Sequence, residues 1–112
     1  MELHELQRLY KEHLGEANHP RLAAYIALVE EVGELAQEVL NLEIYDKNEK
    51  ANLLQDEIAD VFICILELCD IYRIDLESVF LEKFRKVSEK ARNEWCNSLT
   101  PLLKQKREQI DT

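Results

Sequence analysis

Apolar side chains recur every three or four residues along most of this chain, a spacing that places them on one face of a helix. With only two glycines and two prolines to interrupt it, the pattern predicts an all-α protein. Four apolar faces can be read: Leu3, Leu6, Leu9, Tyr10 and Leu14; Leu22, Ile26, Val29, Val32, Ala36, Val39 and Leu40; Leu54, Ile58, Val61, Phe62, Ile65, Leu66 and Cys69; and Leu76, Val79, Phe80, Phe84, Val87, Ala91 and Trp95.

Polar residues and proline mark the expected helix ends. The first helix should end near Gly15, and Asn18-His19-Pro20 predicts a cap followed by proline in the first turn of the second helix, which runs to about Leu42. Asp46-Lys47-Asn48-Glu49 resembles a capping box for the third helix, and Asp75 is the expected cap of the fourth. The connections are short, so neighbouring helices should pack antiparallel.

This organisation predicts a helical bundle of four to five helices in one domain, residues 1–97, followed by a polar tail, residues 98–112. Helices two and three carry apolar residues on several sides, and self-association would bury the surplus, so we expect a homodimer or homotetramer. Gly33 lies in the middle of helix two, where it indicates either a close helix approach or a tolerated surface glycine.

Composition narrows the functional classes. The chain has 112 residues and a formal charge of −9, which disfavours binding to nucleic acid polymers. No uncharged apolar run is long enough to span a membrane, and the N-terminus does not resemble a signal peptide, so we expect a cytoplasmic protein. Cys64, Cys69 and Cys96 have no metal-ligand spacing and are expected to be free thiols.

Two short acidic motifs suggest the chemistry of the site. Glu31-Val32-Gly33-Glu34 and Glu57-Ile58-Ala59-Asp60 each place two carboxylates side by side on a predicted helix. Antiparallel packing would bring all four carboxylates into one cleft, where they would repel one another unless a positive charge lay among them. A hard divalent cation such as Mg²⁺ prefers oxygen ligands and fits this set.

The distribution of charge supports this interpretation. No Lys or Arg occurs from Leu22 to Asp46 or from Ala51 to Tyr72, although these stretches contain many acids. The alanines Ala23, Ala24 and Ala27 continue the ridge of Glu31 towards the start of helix two, where their small side chains leave room for a ligand. The alternative is that the acids form an ordinary solvated surface, which is common in acidic proteins.

Basic residues collect instead in helix four. Lys83, Lys86 and Lys90 share one face and could contact a polyphosphate, while the alternative is surface ion pairing, such as Glu82–Lys86, Arg85–Glu89 and Glu89–Arg92.

The sequence from Glu30 to Glu38, followed by Asp56 to Val61, resembles the ExxE…ExxD signature of MazG-like all-α nucleoside triphosphate pyrophosphohydrolases. The similarity covers roughly Leu22 to Arg92. It implies a bundle completed by oligomerisation and a house-cleaning type of activity in nucleotide metabolism that splits a (d)NTP into (d)NMP and pyrophosphate with Mg²⁺, for which Mn²⁺ could substitute.

Carried over by motif position, the implied metal ligands are Glu31, Glu34, Glu57 and Asp60. Water would attack the α-phosphorus, with Glu38 as the first candidate for the general base and Glu34 as the second. Lys83 matches a lysine that several relatives use to contact phosphate or sugar, but the chain has Val87 where they carry an asparagine. The candidates for the remaining phosphate-binding roles are Lys86, Lys90, Arg92 and Asn93.

Three alternatives stay open from the sequence: a phosphoribosyl-ATP pyrophosphohydrolase, a relative with dUTPase- or dCTPase-like specificity, and a noncatalytic helical bundle that binds a partner protein through its acidic face.

Overall fold

The computed structural model describes residues 1–45 and 51–92, together with residues 105, 108 and 109. It contains α1 (Leu3–Leu14), a 3₁₀ turn (Gly15–Ala17), α2 (Arg21–Glu43), α3 (Ala51–Tyr72) and α4 (Leu76–Lys90). The described part of the chain has no strand, so the predicted all-α class is confirmed. The predicted capping box at Asp46–Glu49, the positions of Asn93, Trp95 and Cys96, and nearly all of the polar tail lie outside the described residues.

The chain forms two compact units, Met1–Leu76 and Glu77–Thr112, of which the second contains nearly all of α4. The predicted division into residues 1–97 and 98–112 stays a prediction. None of the described helices is long and apolar enough to cross a bilayer.

The first unit is built on an antiparallel hairpin of α2 and α3, which form the most extensive helix contact in the described structure. The guanidinium of Arg21 at the start of α2 lies 5.4 Å from the ring centre of Tyr72 at the end of α3, as antiparallel packing requires. Ala24 is wholly buried, so α2 has a small side chain at a tightly packed position.

The side chain of Gln7 attaches helix α1 to the chain segment that follows α3. The Gln7 amide donates to the carbonyl oxygen of Ile74 at 2.9 Å and accepts a hydrogen bond from the Leu76 N–H at 2.8 Å. Leu76 is the first residue of α4, and the first N–H groups of a helix have no partner within it, so Gln7 satisfies one of these N–H groups. Arg73, which lies between α3 and α4, adopts a left-handed backbone conformation with φ 55°.

The prediction that Asn18 caps α2 is wrong. The helix begins at Arg21, its cap position is Pro20, and no side chain caps it. The Asn18 amide instead donates to Asp70 Oδ2 at 2.7 Å and accepts from the Tyr10 hydroxyl at 2.5 Å. A long-range contact has therefore taken the polar atoms that would have served as the cap.

The apolar helix faces that were predicted to point into the core are only partly buried. A single chain leaves more than a third of each of several large apolar residues exposed: Leu22, Ile26, Val29, Val32 and Val39 on α2, and Val79, Phe80, Phe84 and Val87 on α4. The close-approach interpretation of Gly33 is also wrong for one chain, because a Cβ placed there would meet nothing within 4 Å in the described structure. Gly33 is a tolerated surface glycine in this chain.

Candidate metal centre

Both acidic motifs contribute to one cluster on the α2–α3 hairpin. Glu31, Glu34 and Glu57 each offer a carboxylate oxygen, and these oxygens all lie within 4.8 Å of one another. Glu31 and Glu34 are three residues apart on one helix, so they lie on the same ridge, and Glu57 reaches them from the facing helix. The structure therefore brings together three of the four predicted metal ligands.

Three oxygens at this site are buried without a hydrogen-bond partner among the described residues: Oε2 of Glu31, of Glu38 and of Glu57. A carboxylate oxygen removed from water without a hydrogen-bond donor carries a desolvation penalty. Three such oxygens on one hairpin indicate that a positively charged group or a proton belongs among them.

The electrostatics of the cluster lead to the same conclusion. Burial of the Glu31 carboxyl, together with the charge of Glu34, raises the pKa of Glu31 to about 7. Burial and the charges of Glu34, Asp60 and Glu38 raise the pKa of Glu57, although a hydrogen bond from Glu31 acts in the opposite direction. The folded chain thus holds a proton that an isolated carboxyl would release well below neutral pH.

The chemistry of this donor set fits a hard divalent cation. Every donor is a carboxylate oxygen, the ligand type that Mg²⁺ and Ca²⁺ prefer, and the cluster contains neither thiol nor imidazole, which softer metals favour. A bound cation would relieve the repulsion between these carboxylates, which the retained proton relieves when no cation is bound.

The fourth predicted ligand, Asp60, lies near the cluster but does not belong to it. Its charge raises the pKa values of Glu31 and Glu57, yet its side chain is exposed and it is not among the residues whose oxygens meet within 4.8 Å. Glu38, the first candidate for the general base, lies one turn beyond Glu34 and contributes one of the unpartnered oxygens.

The predicted phosphate contacts lie on the second unit. Lys83, Lys86, Lys90 and Arg92 are all exposed. Lys86 lies 3.6 Å from Glu82, and Lys83 and Lys86 line a shallow cavity of about 380 Å³ on the surface of α4. Two predicted ion pairs, Glu82–Lys86 and Arg85–Glu89, are confirmed, and Arg85 also pairs with Glu82 at 3.1 Å.

A second polar cluster was not predicted from the sequence. Glu67 is only 7% exposed and accepts hydrogen bonds from the His19 backbone N–H at 3.2 Å and the His19 ring at 3.0 Å. Burial and the charges of Glu67 and Asp70 raise the pKa of Tyr10 to about 12. The available signal was a charged residue, Glu67, between Leu66 and Leu68 in the most apolar helix of the chain.

The thiols behave as expected where the structure describes them. Cys64 and Cys69 are free, and burial raises the pKa of each.

Residues 18–95 match the family model of the MazG nucleotide pyrophosphohydrolase domain. No curated protein and no solved structure gives a significant match. The matched segment covers more than half of the chain and contains every residue of the carboxylate cluster. The chain therefore belongs to the MazG nucleotide pyrophosphohydrolase family.

Proposed function

We propose that this protein is a Mg²⁺-dependent hydrolase that converts a nucleoside triphosphate to a nucleoside monophosphate and pyrophosphate. Family membership supports the class, nucleotide pyrophosphohydrolase, and a nucleotide substrate. The observation that carries the proposal is the set of buried carboxylate oxygens without a partner on Glu31, Glu38 and Glu57. Members of the family are typically metal-dependent, in agreement with this donor set.

In this proposal Glu31, Glu34 and Glu57 would hold the metal, with Asp60 as the fourth proposed ligand. Bound Mg²⁺ would neutralise charge that develops on the phosphate oxygens. Glu38 Oε2 takes a proton from the attacking water, whose oxygen forms a bond to the α-phosphorus. The bond from the α-phosphorus to the bridging oxygen breaks, and pyrophosphate leaves with that oxygen. Glu34 is the second candidate for the base.

We keep Lys83, Lys86, Lys90 and Arg92 as the proposed phosphate contacts. The motif resemblance and their positive charge support this role. Lys86 already forms an ion pair with Glu82, so we expect Lys86 to contribute least to phosphate binding.

We also propose that the protein is a homodimer or homotetramer. The exposed apolar side chains on α2 support this, since Leu22, Ile26 and Val29 form a helical face with roughly half or more of each residue exposed. A second copy of the chain would remove this surface from water.

Pyrophosphate release tests the function directly. The purified protein is incubated with the canonical ribo- and deoxyribonucleoside triphosphates, dUTP and phosphoribosyl-ATP, in Mg²⁺, in Mn²⁺ and in EDTA. We expect one pyrophosphate for each monophosphate formed, activity in both metals, and none in EDTA, because without a cation the negatively charged carboxylates repel the phosphates.

The same panel separates the alternatives. Turnover confined to phosphoribosyl-ATP would assign the reaction to that substrate, and a single preferred pyrimidine would indicate dUTPase- or dCTPase-like specificity. No pyrophosphate from any compound at any metal concentration would contradict the proposal and favour a noncatalytic binding bundle.

A further inference from the structure

A small cavity lies beside the buried Glu67. It has a volume of about 210 Å³, with Leu14 and Ile63 among its apolar walls and with polar atoms supplied by Tyr10, His19 and Glu67. Pockets for drug-sized ligands typically measure about 300–1,000 Å³ and combine apolar walls with a few polar groups. This cavity is thus suited to one ring system rather than to a whole nucleotide.

The cavity continues the carboxylate cluster along α3. Glu57, Asp60, Cys64 and Glu67 are spaced by three or four residues, which places them on one strip of the helix. At 1.5 Å per residue, Asp60 and Glu67 are about 10 Å apart along the axis. Cys64 lines the cavity between them, and charges from Glu31, Glu67 and Asp60 all act on its thiol.

Helix α2 provides a matching path. His19 lines the cavity, Glu31 belongs to the carboxylate cluster, and between them Ala23 and Ala27 follow at intervals of four residues. Both alanines are partly exposed, so their small side chains leave open space along this ridge. A nucleotide whose phosphates lie at the cluster would have its nucleoside end over these alanines and its base at Glu67.

The polar atoms of the cavity are mainly hydrogen-bond acceptors. Glu67 Oε2 accepts from the His19 backbone N–H and lies 3.0 Å from His19 Nδ1, which donates to it because a carboxylate oxygen can only accept. The Tyr10 hydroxyl has one hydrogen, which its 2.5 Å contact directs to Asn18 Oδ1 rather than to Glu67 at 3.5 Å. Among the described residues, Glu67 Oε1 has only a second, longer contact with His19 Nδ1, at 3.2 Å.

We infer that Glu67 is a specificity residue that selects nucleotides whose base carries an exocyclic amino group. An amino group on cytosine, adenine or guanine can donate to Glu67 Oε1. Uracil and thymine can donate to it only through N3–H, which brings the flanking O2 and O4 keto oxygens towards a carboxylate that repels them and cannot donate to them. Sites that bond a substrate N–H reject analogues without it, because their polar groups are then left unpaired. This inference rests on the proposed function, and it names the substrate class.

Matched substrates test the inference with the unaltered protein. We expect kcat/KM for pyrophosphate release to favour dCTP over dUTP, or dGTP over dITP, by at least about tenfold, since one lost hydrogen bond to a charged group has about that effect. Equal values within both pairs, or a preference for dUTP or dITP, would overturn the inference while the proposed function stands.

The Glu67→Gln variant provides a second test of the inference. The amide keeps an acceptor for the His19 N–H but presents a donor in place of one acceptor, so the preference for the amino-bearing nucleotide should fall by about tenfold. Asp70→Asn is the matched control, because Asp70 bonds Asn18 in the same polar cluster but does not line the cavity. An unchanged preference in folded Glu67→Gln would contradict the inference.

Binding separates the inference from the activity. If no triphosphate releases pyrophosphate, the proposed function fails, and calorimetry with dCMP and dUMP, and with dGMP and dIMP, still measures the base preference. Tighter binding of the amino-bearing nucleotide in either pair, weakened in Glu67→Gln but not in Asp70→Asn, would support the role of Glu67. Equal binding of dCMP and dUMP, and likewise of dGMP and dIMP, would end it.

Discussion

Glu57→Gln is expected to lower kcat/KM for Mg²⁺-dependent pyrophosphate release by about a thousandfold, while the helical content stays unchanged. Among the described residues, Glu57 is the one residue of α3 in the set of oxygens within 4.8 Å, so its loss leaves α3 with only Asp60, which lies outside that set, as a proposed ligand. A metal ion supplies several kcal/mol of transition-state stabilisation, and each 1.4 kcal/mol corresponds to a factor of ten in rate. Initial rates at saturating Mg²⁺ measure the effect.

Asp56→Asn is the matched control for this variant. Asp56 is the neighbouring carboxylate on α3, is exposed, and does not belong to the cluster, so the same change should leave kcat/KM within about twofold. If Glu57→Gln and Asp56→Asn had equal activity, the proposed metal site would be wrong.

In EDTA, the free energy of unfolding is expected to fall as the pH rises from about 5 to 8. The pKa of Glu31 is about 7 in the folded chain against 4.5 for an ordinary glutamate, so the folded protein keeps a proton that the unfolded chain releases. The stabilisation from this proton is complete below pH 4.5 and is lost as the pH rises through 7. Urea unfolding at a series of pH values measures the slope.

Two comparisons check the cause of this slope. Glu31→Gln should flatten it, because the amide neither repels Glu34 and Glu57 nor titrates. Mg²⁺ at several millimolar should restore stability at pH 8 in the unaltered protein, since a ligand that binds only the folded state stabilises it. A slope that survives in Glu31→Gln would show that other groups carry it.

The helices and the carboxylate cluster were predictable because both rest on local spacing. The predicted ends of α1 and the predicted C-terminal end of α2 lie within about one residue of the observed ends, whereas the predicted cap of α2 lies two residues too early. The acidic motifs put Glu31, Glu34 and Glu57 on the inner edges of two helices, and a short connection leaves an antiparallel hairpin as the simplest arrangement. No long-range information was needed.

The errors came from contacts between residues far apart in the chain. Asn18 is of a residue type that favours helix caps, but its side-chain amide forms hydrogen bonds with Tyr10 and Asp70 instead. Asp70 lies 52 residues further along the chain. Glu67 was not singled out from the sequence, and the contact of this buried residue with His19 joins residues 48 positions apart in the chain. The local sequence pattern contains no information about either contact.

The attachment of α1 has a consequence for how the chain folds. Gln7 bonds groups 67 and 69 residues further along the chain, whereas α2 and α3 are neighbours in sequence. Closing a long loop lowers the entropy of the chain, and contacts at its far end offset this cost only once that end is ordered. The α2–α3 hairpin should therefore form first, with α1 docking onto it late. Pulse-labelled hydrogen exchange during refolding should protect the amides of α3 before those of α1.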